Sequence, residues 1–187
     1  RLAWRRIVGA RNQARLWGPL TGTVVAGQAI HVAGANGCGK STFLKALAGL
    51  HTPVAGTIER TPAELLLIGH ELPLSPDLDA LANLSLWLAL VASTPTSREG
   101  CAAALSAAAV PMGRPVRLLS AGQRRKVALC MLPLADRLVW LLDEPLDALD
   151  AQAANWLADL CSQHLQRGGS LVYTSHQRGP DQFPRHQ

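Results

Sequence analysis

The sequence has few aromatic residues and no long apolar run. Aromatic side chains make up 4% of the 187 residues while 48% are hydrophobic, so we expect a core built mainly from Leu, Ala and Val. The longest apolar stretch, residues 84–92, contains a Ser and is shorter than the ~18–20 residues that a membrane span requires. No secretory signal is visible at the start. We therefore expect one soluble domain, or one held at a membrane by a partner.

Paired cysteines and clustered charge are also lacking. None of the four cysteines forms a C-x-x-C pair, which favours free thiols in a reducing compartment over a zinc or haem-attachment site. The net charge is +5, but the basic residues are scattered apart from the triplet Arg124, Arg125 and Lys126. This distribution predicts no nucleic-acid partner and suits a polyphosphate ligand.

Alternating patterns predict the order of elements. Short strands are expected within residues 2–25, buried strands at 29–33, 65–68, 137–142 and 170–174, and helices at 41–50, from 123 to about 132, and at 151–167. Residues 81–110, rich in Ala and Leu, predict two or three further helices. The alternation predicts an α/β fold with a parallel sheet. The helical insertion spans about 81–132, and the core comprises about 1–80 and 133–187.

A glycine-rich segment follows the predicted strand at 29–33 and matches G-x-x-x-x-G-K-[ST]. Its backbone N–H groups and the following helix N-terminus are expected to bind phosphate oxygens, with Lys40 on the β- and γ-phosphates and Ser41 on Mg²⁺. The predicted nucleotide contacts here are Gly34, Ala35, Asn36, Gly37, Cys38, Gly39, Lys40, Ser41 and Thr42. We expect Cys38 to react with maleimides unless nucleotide protects it; the alternative is that it only fills a small-residue position.

Polar residues follow two later strands. Asp143 and Glu144 come after a strongly apolar strand, where Asp143 would bind Mg²⁺ and Glu144 would act as general base on water. His176 follows the last predicted strand and would stabilise the transferring phosphoryl group. Together with Lys40, Glu144 and His176 are the predicted catalytic residues.

A second anion site is predicted at a helix start. Ser120, Gly122 and Gln123 open the predicted helix, whose N-terminus attracts negative charge. Two phosphate sites within one chain would be redundant, whereas in a head-to-tail homodimer both would close on one γ-phosphate. An ordinary N-cap at Ser120 is the simpler interpretation and is compatible with this role.

These motifs together resemble the ATP-binding subunits of ABC transporters. Residues 34–42 resemble Walker A, 119–123 the LSGGQ signature with Ala121 replacing a glycine, and 138–144 Walker B with its catalytic glutamate. Residues 146–150 resemble the D-loop, and His176 the switch histidine. The resemblance implies a P-loop NTPase fold with a RecA-like parallel sheet core, an N-terminal antiparallel β subdomain and an inserted helical subdomain. It also implies ATP and Mg²⁺ as ligands, a homodimer that closes on ATP, and integral membrane subunits as partners.

A narrower resemblance is to the ATP-binding export proteins of cytochrome c biogenesis. It is carried by residues 68–70, 81–84, 119–125 and 174–177. It implies a peripheral subunit on the cytoplasmic face of the bacterial inner membrane, whose ATP hydrolysis drives haem delivery to, or release of, a haem chaperone. No His or Cys arrangement in the sequence itself indicates a haem site.

The sequence departs from the family at two places. Glu71 stands where the family has a Gln that contacts Mg²⁺; a carboxylate still suits Mg²⁺, so we expect Glu71→Gln to keep or raise ATPase activity. The aromatic residue that stacks on adenine is not evident. Trp17 is the nearest candidate but is equally suited to the core, while Arg11 lies nearer the expected place and offers a planar guanidinium.

Other functions fit less well. A soluble ABC ATPase of DNA repair or translation needs a coiled-coil insertion or a second cassette, and 187 residues hold neither. A GTPase requires an N-K-x-D motif, which is absent, and neither a GTPase nor a kinase explains residues 119–123. A catalytically inactive subunit is favoured only by Glu71. Another small ABC exporter remains an alternative.

Overall fold

The computed structural model describes residues 2–11, 14–92, 95–175 and 183–184. Seven strands and six α-helices form within these residues. The strands are β1 (Leu2–Arg11), β2 (Ala14–Val24), β3 (Ala29–Val32), β4 (Ala55–Glu59), β5 (Leu65–Ile68), β6 (Val139–Leu142) and β7 (Ser170–Thr174). The helices are α1 (Lys40–Ala48), α2 (Ala80–Val91), α3 (Arg98–Ala107), α4 (Ala121–Leu129), α5 (Met131–Leu134) and α6 (Ala151–Gln166).

A four-stranded parallel sheet in the order β3-β7-β6-β5 forms the centre. Its strands are in register at their carboxyl ends, where Ile68 lies opposite Leu142 and Val32 opposite Thr174. The loops that follow these four strands therefore meet at one edge of the sheet, which is where α/β sheets place their ligands. The predicted α/β class is confirmed.

The N-terminal region differs from the expectation of short strands. β1 and β2 form a long antiparallel hairpin of 10 and 11 residues, and β4 pairs with the other side of β1. The sequence shows only turn signals around Gly56, so β4 was not predicted. That strand alternates poorly and four of its five residues are exposed, so hydrophobic periodicity gave no signal.

The parallel sheet separates two apolar cores. Because side chains alternate along a strand, Val139 and Leu141 of β6 face a core shared with the antiparallel sheet and α1, whereas Trp140 and Leu142 face the other helices. Helix α1 contributes Phe43 to the first core. The sheet is thus covered on both faces, as a parallel sheet requires.

The predicted helical insertion corresponds to four helices that lie between β5 and β6 along the chain: α2, α3, α4 and α5. Helix α2 contacts α3, α4 and α5. The predicted helix from 123 to about 132 is divided, because α4 ends at Leu129 and α5 begins at Met131. The boundaries of the two lobes remain a prediction. Among the described residues, no helix combines the length and apolar character needed to cross a bilayer.

Candidate active site

The glycine-rich segment forms a loop between β3 and α1. Gly37 and Gly39 adopt φ angles of 79° and 96°, a left-handed conformation in which other residues are strained, so glycine is required there. The loop also packs tightly at Gly34, where an added Cβ would lie 2.6 Å from Sγ of Cys38. Helix α1 then begins at Lys40 with its free N–H groups directed towards the loop. The strand, loop and helix order confirms the predicted context of a phosphate-binding loop.

Lys40 joins this loop to the end of β6. Its Nζ donates to the carbonyl oxygens of Gly34 at 2.9 Å and Ala35 at 3.4 Å, and lies 3.5 Å from Oε1 of Glu144. Lys40 is 8% exposed, so this ion pair is largely shielded from solvent. The predicted phosphate-binding lysine and the predicted general base are therefore neighbours, although they are distant in sequence.

A buried threonine connects the two acidic residues. Thr174, at the end of β7, donates to Oδ1 of Asp143 at 2.8 Å, and its Oγ1 accepts a hydrogen bond from the backbone N–H of Glu144, also at 2.8 Å. Asp143 is itself 3% exposed, and its N–H donates to the carbonyl of Ile68 at 2.9 Å. Thr174 was not among the predicted site residues, because nothing in the sequence shows that β7 lies beside β6.

A buried arginine also holds the turn that follows β6, which contains Asp143 and Glu144. Arg125 of α4 donates through Nη1 to the carbonyl of Gly69 at 2.8 Å, and through Nη2 to the carbonyls of Asp143 and Glu144. Burial lowers the pKa of this guanidinium, and the negative charges of Asp147, Asp143 and Glu144 oppose the shift. The sequence showed Arg125 only as one of three adjacent cations.

A cavity of about 390 Å³ opens beside the glycine-rich loop. It is lined by Arg11, Leu16, Asn36, Gly37, Gly39, Lys40, Ser41, Thr42, His70, Glu144 and Asp147. The loop, Lys40 and Glu144 thus share one cavity, as expected for a nucleotide phosphate site. Among the predicted residues of the loop, Asn36, Gly37, Ser41 and Thr42 all face it.

The two candidates for base stacking have different positions. Trp17 packs edge-on against Phe43 with ring centroids 5.4 Å apart, and its Nε1 donates to the carbonyl of Gly39 at 3.1 Å. The indole therefore supports the glycine-rich loop from the core side. Arg11, at the exposed end of β1, lines the cavity. Of the two, Arg11 is better placed for a base.

Ser41, Glu71 and Asp143 line a neighbouring cavity of about 900 Å³. A hydroxyl and carboxylates are the hard oxygen donors that Mg²⁺ takes, usually with one or two carboxylates and with phosphate oxygens and water completing the octahedron. In the described part of the chain, no three His, Cys, Asp or Glu residues cluster closely enough to hold a metal alone. The residues therefore fit a magnesium ion that phosphate oxygens help to coordinate.

The signature segment, residues 119–123, opens α4. Ser120 accepts from the N–H of Gln123 at 3.1 Å, and the Gln123 side chain accepts from the N–H of Ser120 at 2.9 Å, so the two form a capping box. An added Cβ at Gly122 would lie 2.4 Å from the carbonyl oxygen of Ala148, which has a φ of 61°. The N-terminus of α4 therefore packs directly on the loop of residues 146–150.

Cys38 differs from the other three cysteines. It is half-buried, whereas Cys101, Cys130 and Cys161 are fully buried. Burial raises the pKa of Cys130 to about 12 and also raises the pKa of Cys161. The thiol beside the phosphate loop is thus the accessible one among the four.

The predicted catalytic histidine, His176, lies outside the described residues. The residue before it, Ser175, is buried, and its carbonyl oxygen is 3.3 Å from Nε2 of His31 on β3. The His31 ring stacks on Tyr173 with centroids 4.8 Å apart. The end of β7 is therefore joined to the strand that precedes the phosphate loop.

Comparisons with known proteins identify the family of the chain. Residues 18–147 match the family model described as ABC transporter. The chain is 40% identical over 184 residues to the cytochrome c biogenesis ATP-binding export protein CcmA of Pseudomonas aeruginosa, covering 91% of this chain and 90% of that protein. It is 36% identical over 187 residues to the protein of the same description from Bradyrhizobium diazoefficiens, covering 94% and 91%.

A solved structure supports the fold. A dimeric ATP-binding cassette in a post-hydrolysis state with ADP and Pi superposes with a TM-score of 0.80 at 20% identity, covering 95% of this chain and 88% of that one. At this identity the likeness bears on the fold alone. The fold class predicted from the sequence, a P-loop NTPase core with an antiparallel sheet and helices, is confirmed.

Proposed function

The chain belongs to the ABC transporter family and, within it, to the cytochrome c biogenesis ATP-binding export proteins, and we propose that its ATP hydrolysis drives the haem-pathway step of that export system. Hydrolysis of ATP coupled to transport follows from the family. The haem pathway follows from the resemblance to its narrower group. The observation that carries the ATPase proposal is the 3.5 Å contact between Lys40 of the glycine-rich loop and Glu144 at the end of β6.

Binding of the triphosphate is assigned to the loop and to α1. The backbone N–H groups of residues 34–42 and the N-terminus of α1 would surround the phosphate oxygens. Lys40 would exchange its contact with the Gly34 carbonyl for contacts with the β- and γ-phosphates, since its Nζ already lies beside the first residue of the loop. Arg11 is assigned to the base, because it lines the same cavity.

Magnesium is assigned to Ser41 and Asp143, with Glu71 facing the same cavity. The bound ion would neutralise charge on the β- and γ-phosphates. Thr174 fixes one oxygen of Asp143 by a hydrogen bond and leaves the second oxygen for the ion or its water. Asp143 would therefore act without the reorientation that a mobile carboxylate requires.

Glu144 is assigned as general base. Its carboxylate is next to Lys40, and its backbone N–H is held by Thr174, so the side chain is directed towards the phosphate site. It would accept a proton from the water that attacks the γ-phosphate. His176 is proposed to stabilise the transferring phosphoryl group, since it follows the strand that ends at Thr174.

A homodimer would complete each site. Ser120, Gly122 and Gln123 open α4, on the side of the molecule where α4 meets residues 146–150. In a head-to-tail arrangement these residues would reach the γ-phosphate held by the partner subunit. Integral membrane subunits would be driven by the closing of this dimer, and we propose that the chain binds them at the cytoplasmic face of the inner membrane. A haem chaperone would be an indirect partner.

Two measurements test the proposal. Mg²⁺-dependent ATPase activity should be lost in Glu144→Gln while ATP binding is kept; persistent activity would reject Glu144 as the general base. The same variant, trapped with Mg-ATP, should co-purify the cytochrome c maturation membrane subunits from native membranes. Recovery of a different permease would keep the ATPase and reject the haem pathway, and recovery of no membrane protein would favour a soluble role.

A further inference from the structure

Arg125 is the only one of three adjacent cations on α4 that is directed into the sheet edge. Arg124 donates to the carbonyl of Leu119 and Lys126 to that of Ala109, so both contact the helical region of the chain. Arg125 is 4% exposed and reaches across to the loops that follow β5 and β6. Its side chain therefore connects the helix of the signature segment to the parallel sheet.

Among the residues that the structure describes, the three hydrogen-bond acceptors of Arg125 are backbone carbonyls at the carboxyl ends of neighbouring strands. One belongs to Gly69, directly after β5, and the others to Asp143 and Glu144, directly after β6. A guanidinium has five N–H donors in a rigid planar fork, which suits several fixed acceptors at once. A buried cation loses much of its hydration, so such an arrangement is retained only where the hydrogen bonds are well made.

Glu144 has a backbone conformation that needs this support. Its φ angle is 48°, in the left-handed region that non-glycine residues seldom occupy. Such a conformation persists only when the surroundings over-determine it. Here Thr174 accepts from the N–H of Glu144 and Arg125 donates to its carbonyl, so both backbone polar groups are occupied.

We propose that Arg125 is a positioning residue for hydrolysis, which holds the Glu144 turn in its left-handed conformation and ties that turn to the signature helix α4. This inference rests on the proposed ATPase function. Arg125 does not line the cavity beside the glycine-rich loop, so it would act through Glu144. In the proposed head-to-tail dimer, the helix that contacts one ATP through Ser120 would thereby also position the general base that acts on the other ATP.

The test compares Arg125→Met, Arg125→Lys and the control Lys126→Met in the full chain as purified from membranes. Lys126→Met removes a cation from the next position of the same helix, where the side chain donates a hydrogen bond to the carbonyl of Ala109 and not to the sheet edge. For Arg125→Met we expect kcat to fall by about tenfold or more while the Kd for Mg-ATP stays within about twofold. Arg125→Lys should restore part of kcat, and Lys126→Met should stay within about twofold of the parent.

A second measurement separates positioning from general loss of structure. In a Glu144→Gln background, Arg125→Met should lower the residual single-turnover rate by less than about twofold, because Arg125 acts through the carboxylate that is already absent. If Arg125 had only a structural role, Arg125→Met would lower the single-turnover rate equally in the parent and in the Glu144→Gln background. If Arg125→Met does not fold, the same comparison is made with Arg125→Lys, which keeps a buried cation.

Three results overturn the proposal. The first is unchanged kcat in Arg125→Met, and the second is an equal loss of ATP affinity and kcat. The third is a full additional loss in the Glu144→Gln background. An inactive parent chain would overturn the proposed function and this inference with it, whereas an active parent with an unaffected Arg125→Met overturns the inference alone.

Discussion

The hydroxyl of Thr174 donates a 2.8 Å hydrogen bond to Oδ1 of Asp143 and joins the ends of two neighbouring parallel strands. The same oxygen accepts from the N–H of Glu144. Thr174 is fully buried, so water cannot replace either bond. One hydroxyl therefore orients the proposed metal ligand and the proposed general base together.

Thr174→Val should lower both stability and activity. The substitution keeps the shape but leaves the Glu144 N–H and Asp143 Oδ1 without this partner, at a cost of about 1–3 kcal/mol in unfolding free energy. We also expect a higher Mg²⁺ concentration for half-maximal ATPase, because Asp143 is no longer oriented. Denaturant unfolding and Mg²⁺ titration measure the two effects. Thr174→Ser, which keeps the hydroxyl, should resemble the parent, and a normal Mg²⁺ titration for Thr174→Val would contradict the role.

Gly122→Ala should displace the loop of residues 146–150. The new Cβ would meet the carbonyl oxygen of Ala148 at 2.4 Å, and backbone cannot move aside as a flexible side chain does. Overpacking of this kind costs about 1–3 kcal/mol, which denaturant unfolding will measure. Ala121→Gly is the control, since Ala121 is exposed and the change should cost at most about 1 kcal/mol. If Gly122→Ala is as stable as the parent, residue 122 does not pack closely against the Ala148 carbonyl, and the prediction is wrong.

Glu71→Gln should keep or raise ATPase activity. Glu71 is exposed and lines the cavity shared by Ser41 and Asp143, so its carboxylate would add negative charge near the proposed phosphate site. An amide keeps the oxygen donor and removes the charge. Steady-state ATPase is the measurement, with Glu71→Ala as the variant that removes the oxygen and should be slower. A fall of about tenfold in Glu71→Gln, ~1.4 kcal/mol in the barrier, would refute this prediction.

Cys38 should be the thiol that maleimides modify in the folded protein, and Mg-ATP should slow that reaction. Cys38 is half-buried in the phosphate loop, while the other three cysteines are fully buried. Labelling followed by mass spectrometry, with and without Mg-ATP, measures both points. The control is Cys38→Ser, which should remain unlabelled while folded. Equal labelling rates with and without nucleotide would contradict protection by the bound phosphates.

Stability should decrease as the solution becomes more acidic than about pH 6.5, the ordinary pKa of histidine. Burial lowers the pKa of His164 and so does Arg167, although the carbonyls of Ser170 and Leu138 oppose the shift. His164 therefore protonates more readily in the unfolded chain than in the folded one, so its contribution to stability is present above pH 6.5 and is lost below it. Thermal unfolding from pH 7.5 to 5.5 measures the slope.

The control for this slope is His164→Phe. The His164 ring stacks on Trp140 with centroids 3.7 Å apart, and phenylalanine keeps a planar ring there without a titratable nitrogen. The variant should therefore lose less stability than the parent over the same pH interval. An identical slope in the two proteins would assign the pH dependence to other groups.

Local sequence patterns predicted the parts of the site that depend on near neighbours. The loop between β3 and α1 needs glycine where φ is positive, as at Gly37 and Gly39, and its motif spans nine residues. The strand Ser170–Thr174 was predicted at its observed bounds, because it is apolar and follows two glycines. The cap at Ser120 likewise involves a residue only three positions away.

Tertiary structure decided the contacts between residues that are distant in sequence. Arg125 lies 56 positions from Gly69 in the sequence. It is buried, unlike Arg124 and Lys126, because α4 approaches the sheet edge at this position. Trp17 of β2 packs towards the core because its ring contacts Phe43 and its Nε1 donates to the Gly39 carbonyl.

The sequence alone therefore predicted the chemistry of this chain: which groups are proposed to bind phosphate and which acids follow β6. The fold determined which groups hold them in place. The physical reason is the distance in sequence over which each interaction acts. Backbone conformation and helix capping depend on residues only a few positions apart. Burial of a cation or a hydroxyl, by contrast, depends on acceptors such as Gly69 and Asp143 that only the packed sheet brings within hydrogen-bonding distance.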